Sequence, residues 1–556
     1  MLLALYLLLS LGTAWSAAAA VSSNAEAFSW VGTRPAVDLP QGRVVGLNVH
    51  RQGYAYLGYR KIPFAEPPVG ELRFKDPVPA GAWEGDLDGR WLPPFCDQLH
   101  YIGQEDCLFL NVYTPPDAAN ASSPLPVMFF IHGGGYTIGM ETVFDGVNVM
   151  VEKDVIVVVI QYRLGIFGFL STEDEVISGN QGFKDQVLAL QWVHDNIHYF
   201  NGDPNRVTIY GESAGSSSVH FHVMSPYSAG LFQGAIMESG TAISPWALGR
   251  DFKRIATETA EKFECPTSTS EEMLICLQGV EHHHLCSIDN QVWIWNLQPF
   301  YFAPRIDGDY IPDHPVRLIK SGEYNHVPVI MGVNRNEGAL ESGEMFLIPR
   351  SIEDLMNNFT EYGPISLMLY EDEEPLDTTN KVYDFYLGGH DITEEKFYSL
   401  TDMFTHLLFA MPLDFTVQMM ASQDPVYMYE FHHRGKNGYM TLLKDLGLNI
   451  TEGQDCVSHG DDLLYVFDLL WEVGDHLTES DDLAVQEHFT TLWTNFAKTG
   501  NPTPDDSLSY TWPVTDAINR QHLRILPEPI LKMDQREVFR AFWEDLPLRI
   551  NRLMNE

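Results

Sequence analysis

Four short stretches carry residue types that together could cleave an acyl bond. GESAG (211–215) sets Ser213 between two glycines, and HGGGY (132–136) strings three glycines in a row. GVNRNEG (332–338) offers Glu337, and CVSHGDDL (456–463) offers His459. A serine hydroxyl is a weak nucleophile until a base takes its proton and fixed donors stabilise the oxyanion that forms. His459, in a loop flanked by glycine and aspartate, can supply the base, and Glu337 the acid that orients it. Backbone N–H groups of Gly134, Gly135 and Ala214 can supply the donors, because a glycine run lets successive amides turn toward one point. The order serine, acid, histidine along the chain is one of the arrangements that such triads adopt. His194, His220 and His222 fall on expected helices and are read as packing residues.

Groups so far apart in sequence meet only if a rigid scaffold presents them. LPVMFFIHGG (125–134) and DVIVVVIQYRLG (154–165) are continuous in Val, Ile and Phe, as strands buried on both faces are. GFKDQVLALQWVHDNI (182–197) repeats its apolar residues at helical spacing. RVTIYG (206–211) reads as a strand after an Asp203-Pro204 turn, and SAGSSSVHFHVM (213–224) as the helix that follows Ser213. VPVIMGVNRNEG (327–338) is a strand running into the Glu337 loop. Alternating strands and helices predict an α/β domain around a mostly parallel sheet. The helical stretch 351–424 is expected beside that sheet, roofing a site. A strand-to-helix turn as sharp as GESAG requires small neighbours and leaves the serine strained and exposed at a helix N-terminus.

The chain has 556 residues, 76 acidic against 34 Lys and Arg, and a formal net charge of −42. Such a balance repels phosphate backbones and anionic membranes, which excludes nucleic acid as a partner. The opening MLLALYLLLSLGTAWSAAAA (1–20) has the apolar run and small-residue end of a signal peptide, without an N-terminal Lys or Arg. No second run is long enough for a membrane span, and the polar RINRLMNE terminus is neither a retention signal nor a lipid-anchor tail. An exported protein of one large domain over 21–556 is therefore expected, with no repeat or linker dividing it. Sequons at Asn120, Asn358 and Asn449 fit that compartment. Six cysteines in an exported chain invite pairing. Cys96 and Cys107 are close in sequence, as are Cys265 and Cys276, and Cys286 and Cys456 are left over as a pair or as buried thiols. None has metal-site spacing. Three consecutive side chains cannot converge on one ion, so the run His282-His283-His284 is read as surface or packing, and neither metal nor cofactor is expected.

HGGG followed by G-x-S-x-G is the pairing expected of an α/β-hydrolase. The blocks around it resemble the type-B carboxylesterase and cholinesterase family over nearly the whole mature chain. They include YRKIPFAEPPVGELRF (59–74), EDCLFLNVYTP (105–115), HGGGY, YRLGIFGFLS (162–171), GNQGFKDQVLALQWV, GDPNRVTIYGESAGSSSV, SGTAISPW, GVNRNEG, HGDDL and LWTNFAKTGNPTP (492–504). The resemblance implies an α/β-hydrolase fold and a serine carboxylesterase working through an acyl-enzyme on a small-molecule ester. It implies Ser213 as nucleophile, His459 as general base and then acid, and Glu337 as the group that orients the imidazolium. It further implies a pocket role for Trp246 and the pairing of Cys96 with Cys107 and Cys265 with Cys276.

Within that family, inactive adhesion proteins usually lack the serine, which is present here. Cholinesterases carry a long loop with a tryptophan between the first two cysteines, where CDQLHYIGQEDC has ten residues and none. Glu212, beside the nucleophile, matches cholinesterases but also general carboxylesterases. The chain resembles invertebrate secreted carboxylesterases, and juvenile hormone or methyl farnesoate esterase is the alternative subclass, weakened by Glu212 where those enzymes commonly have Gln. No motif specifies an oligomeric state.

Overall fold

The computed structural model describes residues 34–556 except 52, 99–101, 142, 143, 145, 289–293, 297, 370, 371 and 469–476. The expected signal segment 1–20 lies outside the described residues. An eleven-stranded sheet runs through the molecule. In chain order its strands are β1 (Leu47–Arg51), β2 (Tyr54–Pro63), β3 (Phe109–Thr114), β4 (Leu125–Ile131), β5 (Ile156–Ile160) and β6 (Gly202–Glu212). These are followed by β7 (Gly234–Glu238), β8 (Val329–Asn334), β9 (Val426–Phe431), β10 (His522–Ile525) and β11 (Ile530–Lys532). Their spatial order is β11-β10-β9-β8-β7-β6-β4-β5-β3-β2-β1. The seven central strands, β10 through β5 in that order, are parallel. Antiparallel strands close both flanks. A separate three-stranded sheet joins Ala36–Leu39, Gly42–Val45 and Asp86–Asp88.

The continuous apolar runs have a direct cause. In β4, Val127, Phe129 and Ile131 enter the core on one face, while Met128 and Phe130 enter the core on the other. β5 divides in the same way, Ile156, Val158 and Ile160 against Val157 and Val159. Side chains alternate across a strand, so a strand covered on both faces must be apolar at every position.

Among the helices, α1 (Gln181–Asn196) and α2 (Ala214–Met224) flank the sheet, and α3 (His282–Cys286) is a short outlying turn. α4 (Ala339–Leu347), α5 (Pro349–Asn357), α6 (Phe359–Ser366), α7 (Pro375–Leu387), α8 (Phe397–Thr405) and α9 (Met411–Met420) form the expected helical stretch. α8 passes into α9 through a π-turn, His406–Ala410. Pro412 explains it: proline has no N–H to return to Leu408, so that carbonyl is released, and the Trp246 indole donates to it at 3.0 Å.

The expected turn before β6 needs correction. β6 begins at Gly202, so Asp203 and Pro204 lie within the strand and not in a turn before it. The β4–β6 register shifts between Leu125 and Val127, and proline is tolerated in a strand where the ladder is interrupted. Both short disulfides form, Cys96–Cys107 and Cys265–Cys276, while Cys286 and Cys456 are buried thiols outside any disulfide.

Candidate active site

β4 and β6 are neighbours, yet the chain visits β5 on the far side of β4 between them. The strand order therefore reverses at this point, and clefts form beyond the C-terminal ends of such strands. HGGG leaves β4 there, and GESAG leaves β6. Ser213 adopts φ 58° and ψ −123°, a conformation that side chains rarely hold, and α2 starts at the next residue. The flanking glycines are required by contact. A Cβ on Gly211 would lie 2.5 Å from the Ile131 carbonyl oxygen, and one on Gly215 only 2.0 Å from it.

The glycine loop is similarly committed. Gly134 has φ 105° and Gly135 φ 60°, both in the left-handed region that favours glycine. Tyr162 donates from its hydroxyl to the His132 carbonyl at 2.9 Å. Gln98, from the Cys96–Cys107 loop, clamps Gly139 on both sides: its Oε1 accepts the Gly139 N–H at 3.0 Å and its Nε2 donates to the Gly139 carbonyl at 2.8 Å.

Glu337 follows β8 and is fully buried. Its Oε1 accepts from the Ser239 hydroxyl at 2.5 Å and from the Asn334 N–H at 2.6 Å. Its Oε2 lies 2.7 Å from His459 Nδ1. The two loops are stitched together: Asn334 Nδ2 donates to the Ser458 carbonyl at 2.8 Å, and Asn336 N–H to the Val457 carbonyl at 2.9 Å. The His459 ring packs on Phe409, with ring centres 4.5 Å apart. Its Nε2 stands 3.1 Å from Glu212 Oε1. That oxygen is buried and makes no aligned hydrogen bond among the described residues, so the contact is electrostatic. Burial pushes Glu337 up to about 8, against the pull of its Ser239 and Asn334 donors, and Glu212 up to about 7, against the pull of His459. Burial lowers His459, while the Glu212 carboxylate raises it.

Ser213, Glu212, Gly134, Gly135, His459 and Trp246 line one cleft. The cleft also holds groups that the sequence reading missed. Phe300, Met368, Leu408 and Phe409 give it apolar walls, the last two from the π-turn of the roof. Glu341 on α4 lines it as well, and burial pushes its carboxyl up to about 7. Ser239 lay inside SGTAISPW without an assigned role. Ala214 opens α2 directly after Ser213.

The other histidines divide. His220 and His222 are buried and held neutral, each lowered to about 3 by burial. His220 Nδ1 accepts from the Ala242 N–H, and His222 bonds Ser228 and Gln186, so both are packing residues. His194 departs from that reading: its side chain is 41 % exposed beside Asp195. The helix turns it toward solvent.

The sequence profile of the carboxylesterase family matches residues 33–543. A rabbit (Oryctolagus cuniculus) cocaine esterase is 35 % identical over 92 % of this chain and 96 % of its own length. A juvenile hormone esterase of Tribolium castaneum is 35 % identical over 86 % of each chain. A carboxylic ester hydrolase of Bombus ignitus is 34 % identical over 95 % of this chain and 97 % of its own. With the parallel sheet, the strained serine turn and the likeness along the whole chain all in agreement, the chain belongs to the carboxylesterase family, α/β-hydrolases that cleave carboxylic esters.

Proposed function

We propose that Ser213, His459 and Glu337 form the catalytic triad, with the N–H groups of Gly134, Gly135 and Ala214 as the oxyanion hole. One observation carries this reading: a serine on a strained turn shares a cleft with a histidine whose Nδ1 is 2.7 Å from a buried carboxylate. Ser213 Oγ attacks the ester carbonyl carbon as His459 Nε2 takes its proton, and the carbonyl oxygen becomes the oxyanion. His459 returns the proton to the departing alcohol, leaving an acyl group on Ser213. Water then attacks the acyl carbon as His459 takes its proton, and the carboxylic acid departs as His459 returns that proton to Ser213 Oγ. Glu337 fixes the ring with Nδ1–H toward itself and stabilises the imidazolium, and the nearby Glu212 carboxylate adds to that. In sites without substrate such hydrogen bonds are often long and tighten on binding, which suits a Nε2 that rests against Glu212.

The apolar walls favour esters with an uncharged acyl group, seated against Trp246 and Phe409. Glu212 and Glu341 face the same space, so esters carrying a free carboxylate are disfavoured. Relatives at about the same identity carry names as different as cocaine esterase and juvenile hormone esterase, so general carboxylesterase is the primary reading. The apolar cleft and the Tribolium relative favour a terpenoid methyl ester, of the juvenile hormone or methyl farnesoate kind, as the second. We further propose that the protein is exported and glycosylated: Asn120, Asn358 and Asn449 are all exposed, and the two disulfides suit an oxidising compartment. Among the described residues no helix is long and apolar enough to cross a membrane.

The test is a panel of aryl ester, acylcholine, long-chain glyceride, terpenoid methyl ester and a carboxylate-bearing ester, run with Ser213→Ala beside the unaltered protein. Turnover of the neutral esters, lost in Ser213→Ala together with organophosphate labelling, is the expected result. Labelling that survives the substitution refutes Ser213 as nucleophile, and a preference for acylcholine refutes the branch assignment.

A further inference from the structure

We propose that Asp97, His282 and His283 form a binding site for a divalent transition-metal ion, Zn²⁺ by donor type, tying the Cys96–Cys107 loop to α3. Each residue offers one donor atom, and those atoms all lie within 4.8 Å of one another. Tetrahedral Zn²⁺ with ligands near 2 Å needs them roughly 3.3 Å apart. Binding therefore requires the three side chains to draw together around the ion.

The local folding explains how two consecutive histidines come to share a site. Leu285 and Cys286 anchor α3 in the core. His282, one turn earlier, shares their face and is half-buried, while His283 stands about 100° farther round the helix and is exposed. The two rings lie tilted at 39° to one another, with centres 3.9 Å apart. Such a site departs from the reading of His282-His283-His284 as surface or packing: His284 is not part of the group, and the third ligand comes from elsewhere. It is Asp97, 185 residues away, whose Oδ2 lies 2.7 Å from His282 Nδ1.

Asp97 carries the independent observation. Its side chain is 1 % exposed, and its other oxygen, Oδ1, is buried with no hydrogen-bond partner among the described residues. A buried carboxylate oxygen without a donor is costly, and a cation is the partner that such an oxygen lacks. Its backbone is held by bridges from Cys96 to Gln104 and Gln98 to Ile102, beside the disulfide. Burial raises the Asp97 carboxyl, and both imidazoles pull it back down. Glu105, the other nearby acid, is engaged in a close ion pair with Arg73. Two imidazoles and one carboxylate suit Zn²⁺ or its neighbours in the transition series, in contrast to the all-oxygen sets of Ca²⁺ and Mg²⁺. Gln98, the next residue after Asp97, is the one that clamps Gly139 behind the glycine loop, so the tie ends close to the cleft without touching it.

The experiment is calorimetric titration of the tag-free, chelator-treated chain with ZnCl₂, repeated with Co²⁺ to read the visible absorption of its ligand field. One equivalent bound, with affinity weakened at least about tenfold in both His283→Ala and Asp97→Asn and unchanged in His194→Ala, is the expected outcome. No stoichiometric uptake overturns the proposal, as does unchanged affinity in either of the two site variants. Should Asp97→Asn fail to fold, His283→Ala alone decides, because His283 is exposed and its truncation leaves the core intact.

Discussion

Replacing Glu337 with Gln tests the triad at its most constrained point. The side chain has two oxygens with separate duties: Oε1 accepts from Ser239 and Asn334, and Oε2 accepts from His459 Nδ1. A glutamine has one oxygen and one NH₂, and the two donors at the Oε1 position compel the oxygen to sit there. The NH₂ then faces His459, where it can donate but not accept. His459 must turn its Nδ1 lone pair to that NH₂ and carry its proton on Nε2, the tautomer that cannot take a proton from Ser213. In serine hydrolases the same exchange of acid for amide lowers kcat about 10⁴-fold with geometry intact. That corresponds to about 5 kcal/mol of transition-state stabilisation. The assay is kcat and KM on a neutral aryl ester, with a melting curve to establish that the variant is folded. KM should change little, since Glu337 does not line the cleft. A folded Glu337→Gln protein within tenfold of the unaltered kcat would refute the argument, and Asp462, which also bears electrostatically on His459, would become the acid to examine.

Two further outcomes follow from the same geometry. Gly134→Ala places a Cβ 2.0 Å from the Ile138 carbonyl oxygen at φ 105°, so the loop must move and an oxyanion donor is lost. kcat should fall by about 10²–10³, and a variant within tenfold of normal would remove Gly134 from the hole. Glu212→Gln deletes a carboxylate that raises the His459 pKa, so the imidazole stays in its basic form to lower pH. The acid limb of kcat/KM should therefore move to lower pH while kcat falls. Burial makes Glu212 titrate near neutrality itself, so in the unaltered enzyme the two groups titrate as a pair. A limb that stays in place, or moves to higher pH, would show that the Glu212 charge does not act on His459.

The sequence by itself determined the strands, the serine turn and the order of the proposed catalytic groups. These depend on local rules: apolar at every position for a strand covered on both faces, glycine wherever a Cβ would strike the neighbouring backbone, and a helix starting immediately after the serine. β4, β5, α1 and α2 accordingly lie where the pattern puts them, within a few residues. The Asp203-Pro204 turn was misread because its signal is local, while the outcome depended on β4 shifting register beside it. Only the tertiary structure decided what stands opposite what. Ser239 and Asn334 share one oxygen of Glu337, Glu212 stands against the far nitrogen of His459, and Phe409 reaches the cleft from a π-turn created by a proline. Glu341 enters the same cleft, and Asp97 meets His282 from 185 residues away. Such pairings bring together residues that are distant in the chain and unremarkable in type. No spacing announces them, because the distance between two side chains is set by strand order and packing and not by the number of residues between them.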